Sequence, residues 1–270
     1  MAARAREGGR VTLYRLKIER DVDAYNPRTE HDNVGTMVCW HGRYTLGDEQ
    51  PDQSPTQYKY QLALDVAAER RAADDPGDAS DSQWLYEDID ELEDAEYAAA
   101  VERAQALLNA HYVVLPLHLY DHSGITMSTS RFSCPWDSGQ VGFIYVAKDK
   151  ALEEWGHAHE PQKMTDEEFW AERLTYEVKE YDLYLTGECY GYVLEKGIEV
   201  KKTYPNGRVE REVEWEHVDS CWGFMTDDMN ELRAMVSDGL PDGARPLLEQ
   251  MDWTSVGEWI YADETTEEAA

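Results

Sequence analysis

The sequence offers one set of side chains for nucleophilic catalysis. A cysteine nucleophile needs a general base within hydrogen-bonding reach and a further group that orients the base. The cysteine lies in the run SRFSCPWDSGQVGFIYV, and an aspartate and a histidine lie shortly before it in LYDHSG. The candidates are Cys134 as the nucleophile, His41 or His122 as the base, and Asp121 or Asp137 as the orienting carboxylate.

A metal site is the second chemistry that these residue types allow. Zinc in proteins takes four nitrogen or sulfur ligands, and the usual sequence sign is a close pair such as C-x2-C that is repeated downstream. No such spacing occurs, and only Cys39 and His41 are close enough to share one face of a strand. We therefore expect no metal ion and no other cofactor. The residues of the alternative, a converging metal site, are Cys39, His41, His122, Cys134 and Cys221.

The cysteine-containing run also has an explanation that needs no site. Pro135 fixes its own φ and holds Cys134 in an extended conformation. Asp137 or Ser138 can accept backbone hydrogen bonds, and Gly139 permits a tight turn. Cysteine stands beside tryptophan in CWHGR, CPWDSG and DSCWGF, and small thiols often fill gaps beside large rings. The run thus reads as a constrained connection between two strands.

The elements that position these residues predict an α+β fold. A capping box at Thr165 and Glu168 opens a helix that ends at Gly187, and Asn-Gly between IEVKKTY and VEREVEW predicts a hairpin. Strands and helices are interspersed without regular alternation. We expect one domain over 1–270, with a mostly antiparallel sheet and flanking helices. The apolar stripe of the Thr165 helix comprises Trp170, Leu174, Val178, Tyr181 and Leu185.

The charge is the strongest compositional signal. The 270 residues include 56 Asp and Glu but 25 Lys and Arg, a formal net charge of −31. A surface this acidic repels itself in dilute buffer and is tolerated in molar salt, where the Debye length falls to about 3 Å. The alternatives are imitation of nucleic acid by ordered carboxylates and an ordinary acidic protein with a solvated loop. An acidic, partly mobile insertion is expected at about 74–96, and an irregular acidic tail at the C-terminus.

Composition also bears on partners and location. Phosphate contacts need clustered Lys and Arg, and only KKTYPNGR is locally basic, so direct binding of nucleic acid is not expected. No apolar run approaches the roughly 18 residues of a membrane span, and no signal peptide is recognisable. Four widely separated cysteines suit a reducing compartment. These features predict a cytoplasmic protein whose partner is another protein.

Several unusual motifs together resemble a known family. HDNVGTMVCWHGRYTLGDEQ, LPLHLYDHSGITMSTSRFSCPWDSGQVGFIYVAKDK, EVKEYDLYLTGECYGYVLE and DSCWGF occur in the order found in a family of uncharacterised proteins of tailed phages and prophages. The similarity covers roughly 32–50 and 113–224 and carries over no catalytic residue. The acidic segment and the hairpin EKGIEVKKTYPNGRVEREVEWEH extend beyond the family's pattern. The resemblance implies a viral or proviral source, and the charge would suit a haloarchaeal host.

These observations favour a non-enzymatic viral accessory or interaction protein with a salt-adapted acidic surface. One form of this hypothesis is an anti-defence protein that occupies a nucleic-acid-binding partner by charge mimicry. Nucleotide-binding, zinc-protease and hydrolase motifs such as G-x-x-x-x-G-K-[ST], H-E-x-x-H and G-x-S-x-G are missing from the sequence. The alternatives are a Cys/His-dependent or metal-assisted enzyme and a virion component.

Overall fold

The computed structural model describes residues 3–6, 13–72, 89–157, 163–253 and 256–261, with only the backbone described at 3–6, 70–72 and 90. The strands are β1 (Ala3–Arg6), β2 (Leu13–Arg20), β3 (Thr36–Cys39), β4 (Tyr112–Asp121), β5 (Ile125–Ser128), β6 (Ser138–Ala147), β7 (Cys189–Thr203), β8 (Val209–Met225) and β9 (Trp259–Tyr261). The helices are α1 (Pro27–Glu30), α2 (Pro55–Ala72), α3 (Asp94–His111), α4 (Lys148–Trp155), α5 (Asp166–Thr186) and α6 (Met229–Gly239). Two 3-10 segments lie at Ile89–Glu91 and Arg245–Glu249.

The chain forms two compact units. One comprises Asn26–Asp182, and the other combines Met1–Tyr25 with Leu183–Ala270. Each contains an antiparallel sheet together with helices, which confirms the α+β prediction. The single-domain organisation stays a prediction, because compactness does not show whether either unit folds alone.

The unit of residues 26–182 is built on a four-stranded sheet in the order β3-β6-β4-β5. The apolar run YVVLPLHLY forms β4, which pairs with β6 on one side and with β5 on the other. Helix α5 packs on this sheet, since a Cβ atom added at Gly35 would meet Leu174 at 2.3 Å and Ile144 at 2.9 Å. The sheet thereby places the β4–β5 and β5–β6 connections, which carry Asp121, His122 and Cys134, at one end.

Helices α2 and α3 pack on each other in the same unit. Their small and aromatic residues form an apolar cluster that includes Tyr60, Ala63, Ala104 and Leu108. The 3-10 segment Ile89–Glu91 precedes α3.

The unit of residues 1–25 and 183–270 is built on a five-stranded antiparallel sheet. Strand β7 lies between β8 on one side and β1 and β2 on the other, and β9 pairs with β2. One sheet face, with Leu16, Ile18 and Tyr192, packs against α6 and the Arg245–Glu249 segment. The Asn-Gly turn and the hairpin are confirmed as the β7–β8 pair.

Strand β6 ends at Ala147, and helix α4 begins at the next residue, Lys148. Most of the predicted acidic insertion at 74–96 and the tail at 262–270 lie outside the described residues.

Candidate functional site

The β5–β6 connection is held by contacts within itself. The Ser138 hydroxyl donates to the Cys134 carbonyl oxygen, and the Cys134 thiol lies 3.7 Å from the Asp137 Oδ2 atom. The polar side chains of Asp137 and Ser138 therefore contribute to a constrained turn, as their types predict. Trp136, at the centre of the turn, is 91% exposed.

The β4–β5 connection brings Asp121 and His122 to this turn. His122 donates its backbone N–H to the Gly124 carbonyl oxygen at 3.0 Å, and Ser123 adopts a φ of 60° within this tight reversal. The Asp121 backbone N–H donates to the Asp137 carbonyl oxygen at 2.8 Å. The end of β4 and the cysteine-containing turn are thus joined by a main-chain hydrogen bond.

Asp137 is the shared neighbour of the cysteine and the histidine. Its Oδ2 atom lies 3.4 Å from His122 Nδ1 and 3.7 Å from Cys134 Sγ. A cysteine nucleophile of the usual kind has the imidazole next to the sulfur and the carboxylate behind it. Here the described contacts place the carboxylate between the two, and the His122 side chain is 63% exposed. The structure therefore brings Cys134, Asp137 and His122 together, but the described contacts do not place the His122 imidazole next to the Cys134 thiol.

The other two catalytic candidates have partners elsewhere in the same unit. Asp121 pairs with Arg43 at 3.3 Å. His41 accepts hydrogen bonds at Nδ1 from the backbone N–H groups of Arg43 and Tyr44, at 3.3 and 3.1 Å, and stacks on the Tyr44 ring. His41 thus stabilises its own loop, and the catalytic roles of these residues stay predictions.

The five metal-ligand candidates occupy different environments. Cys39 is fully buried in β3, and burial raises the pKa of its thiol to about 12, with a further rise from Asp48. Cys221 is exposed on β8 of the other unit. Within the described ranges, no group of three or more His, Cys, Asp or Glu side chains is arranged to hold a metal ion.

The most highly connected polar side chain was missed by sequence reasoning. The side chain of Arg28 is 1% exposed, and its guanidinium donates to Asp48, Glu177, Asn33 and the Gly35 carbonyl oxygen. Burial lowers the pKa of Arg28, but the hydrogen bonds with both carboxylates outweigh this effect and raise it. The network joins α1 and the loop before β3 to helix α5. The only sequence signal near Arg28 is Asn26 followed by Pro27, a pair typical of a helix start.

An open cleft of about 710 Å³ adjoins the Arg28 network. Its lining includes the carboxylates of Asp32, Asp48, Glu49 and Glu154 beside the ring of Trp155. This lining would suit a cation better than an anion. The guanidinium of Arg28 already uses its donors within the protein, so it has none to offer a ligand.

No helix in the described parts of the chain has the length and apolar character required to cross a lipid bilayer. Comparisons of the chain with family models, with curated proteins and with solved structures found no significant match.

Proposed function

We propose that the chain is a non-enzymatic interaction protein and that the β5–β6 turn is a docking element for a protein partner. The observation that carries this proposal is the 91% exposure of Trp136 on an internally bonded turn. Tryptophan, with tyrosine and arginine, is enriched among the side chains that dominate binding energy at protein interfaces.

The rigidity of the turn supports this role. Binding loses affinity when loops and side chains must be ordered at the interface. The turn is already fixed by the Ser138–Cys134 hydrogen bond and by the Asp121–Asp137 main-chain hydrogen bond. An indole presented on such a support binds with little further ordering of the main chain.

The setting that we propose is a tailed virus or provirus of a salt-adapted host, with the protein acting in the host cytoplasm. The motif resemblance supports the viral source, and the net charge of −31 supports the salty solvent. Charge mimicry of nucleic acid against a host defence protein is one form of this function.

Site-specific crosslinking tests the docking element. A photoreactive benzoylphenylalanine replaces Trp136 in one sample and Trp155 in a control, since Trp155 is also exposed, at 42%, but lies on helix α4. Both proteins are irradiated in a haloarchaeal lysate at molar KCl. We expect one discrete adduct at position 136. An excess of unlabelled wild-type protein should suppress this adduct by competition, whereas an excess of Trp136→Ala protein should not. No adduct, or the same adducts at both positions, would refute the proposal.

A thiol enzyme is the second candidate, because Asp137 lies close to both Cys134 and His122. The Cys134→Ser variant separates the two functions. An interaction protein keeps its adduct at position 136, whereas an enzyme that uses this thiol loses its biological activity. Metal analysis of the native protein tests the metal-assisted form of the enzyme.

A further inference from the structure

The five-stranded sheet of the unit formed by 1–25 and 183–270 has a second face, opposite the one that packs against α6. Side chains alternate between the two faces of a strand, and directly opposed residues of an antiparallel pair share a face. The register therefore places several aromatic rings and one arginine together on this second face. We call this surface the aromatic face, and its main residues are Arg15, Trp215, Trp222, Trp259 and Tyr261.

Two of the indoles lie over glycines of the neighbouring strand. Trp222 is opposite Gly191 and Trp215 is opposite Gly197 in the β7–β8 register. A Cβ atom added at Gly191 would lie 2.1 Å from the Trp222 ring, and one at Gly197 would lie 3.3 Å from the Trp215 ring. Because these glycines have no side chain, each indole can rest on the strand. Trp222 nevertheless remains 44% exposed.

The centre of the aromatic face is a packed cluster around Arg15. Its guanidinium lies 4.5 Å from the Trp215 ring centroid and 4.1 Å from that of Trp259. The Arg15 Nε atom donates to Glu195 Oε2 at 2.6 Å. Tyr261 meets Trp215 edge-on at 5.6 Å between centroids and is 50% exposed. The side chains of this cluster are therefore packed against one another in the absence of a partner.

The charge of this face differs from that of the whole chain. Along β8, the glutamates at 210, 212, 214 and 216 all project from the other face, while the aromatic face receives Val209, Arg211, Val213, Trp215 and His217. Over the whole aromatic face, the bases Arg15, Lys17, Lys201 and Arg211 accompany the acids Glu19, Glu195 and Glu199. The surface is thus nearly neutral in a chain whose net charge is −31.

Six of these seven charged side chains are also paired with each other within the face. Arg15 pairs with Glu195, Lys17 with Glu19, and Arg211 with Glu199. Burial of a charge is costly unless that charge is already paired and hydrogen-bonded. A surface with internally paired charges can be covered at a smaller cost than the carboxylate-rich surface elsewhere.

We infer that the aromatic face binds a second copy of this chain, face to face, in a two-fold symmetric dimer. Two copies that each carry a charge of −31 repel each other, and a nearly neutral surface minimises that repulsion at the contact. Two sheets that pack face to face lie about 10 Å apart, and the side chains of their inner faces interdigitate. Exposed Trp, Tyr and Arg give the composition of an interface core. A two-fold dimer uses the same patch on both copies.

Sedimentation of the full chain tests this inference, at 1 to 100 μM protein and in KCl from dilute to molar concentrations. We expect a dimer whose affinity rises with salt, because screening weakens repulsion between the copies. Trp222→Glu should raise the dimer dissociation constant by about tenfold or more, since it buries an unpaired carboxylate. The control is Tyr176→Glu, which adds the same charge to an exposed aromatic position on α5; it should leave the dissociation constant within about twofold.

Val213→Glu, on the same face and 43% exposed, is the second variant if circular dichroism shows that Trp222→Glu does not fold. The inference is overturned if the wild-type protein stays monomeric at every protein and KCl concentration tested. A monomer that binds a different protein through this face would overturn it as well. A dimer that both face variants leave unchanged, or that Tyr176→Glu weakens equally, overturns it as well.

Discussion

Arg28 and Asp48 form a two-point ion pair, in which Nε donates to Oδ1 at 2.9 Å and Nη2 donates to Oδ2 at 2.5 Å. Asp48 also accepts from the Met37 backbone N–H at 2.6 Å, and Glu177 accepts from that of Val34 at 2.6 Å. The buried guanidinium therefore neutralises the carboxylates of Asp48 and Glu177. These carboxylates in turn accept hydrogen bonds from the main chain within β3 and just before it.

Removal of this guanidinium should strongly destabilise the protein. Arg28→Met leaves Asp48 and Glu177 without their shared cation, and loss of one partner of a buried ion pair costs about 3–5 kcal/mol. Urea unfolding at constant ionic strength measures the change in the free energy of unfolding. Arg233→Met is the control, because Arg233 pairs with Glu249 near the surface, and we expect a change of about 1 kcal/mol or less there. Similar losses in the two variants would contradict a structural role for the Arg28 network.

Glu188 should contribute stability that depends on pH. Burial raises the pKa of its carboxyl group, but hydrogen bonds from Tyr190 and Arg20 outweigh burial and hold that pKa below the ordinary value of 4.5. A carboxyl group whose pKa is lower in the folded state stabilises the fold above its unfolded pKa. This contribution is lost as the pH falls through the folded pKa.

The variant Glu188→Gln tests this pH dependence. We expect it to lower the free energy of unfolding by about 1 kcal/mol at pH 7. The difference from wild type should shrink as the pH falls below 4.5, because the wild-type carboxyl group then also becomes neutral. Glu172→Gln, at an exposed position of α5, serves as the control and should change little. A difference at Glu188 that is the same at pH 7 and at low pH would contradict the prediction.

The four thiols should differ in reactivity with a disulfide reagent at pH 8. Cys134 is half-buried and Cys221 is exposed, whereas Cys39 and Cys189 are buried, and burial raises the pKa of both buried thiols. Since the thiolate is the reactive form, we expect Cys134 and Cys221 to react in the folded protein. The buried pair should react only after unfolding. Mass spectrometry of labelled peptides identifies the sites, and fast labelling of Cys39 in the native state would be the contrary result.

Stability should rise with ionic strength if the acidic composition is an adaptation to salt. The repulsion that a charge of −31 implies is screened as the Debye length shortens from about 10 Å at 0.1 M to about 3 Å at 1 M. We expect a higher unfolding temperature in molar KCl than in dilute buffer. Up to about 0.5 M, sodium chloride and potassium chloride should act equally, because screening depends on ionic strength. An unfolding temperature that does not change with salt would contradict halophilic adaptation.

Local signals in the sequence predicted local structure well. In the predicted capping box, the Thr165 N–H donates to Glu168 Oε2 at 2.8 Å and the Glu168 N–H donates to Thr165 Oγ1 at 3.2 Å. Helix α5 ends before Gly187, whose φ is 73°. These features depend on neighbours three or four residues apart, so the sequence contains their cause.

Relationships between distant segments could not be predicted in this way. Arg28 meets Glu177 across 149 positions, and no periodicity marks a pair at that separation. For the same reason, the sequence could not predict the pairing of β2 with the distant strand β7, nor the division into two sheets that follows from it. For the candidate site, the sequence indicated the turn and its residues. The position of Asp137 between Cys134 and His122 depends on how two separate connections meet.

The glutamates at alternate positions along the edge strand β8 also bear on aggregation into fibres. Strand β8 pairs only with β7 in the described chain and so leaves one edge open, and open edges are templates for uncontrolled strand addition. Antiparallel addition of another β8 edge would bring rows of like charge together at alternate positions. The carboxylates of this row, two of which pair with Arg208 and Lys202, would therefore disfavour strand addition at this edge, most strongly in dilute salt, where electrostatic repulsion has its greatest range.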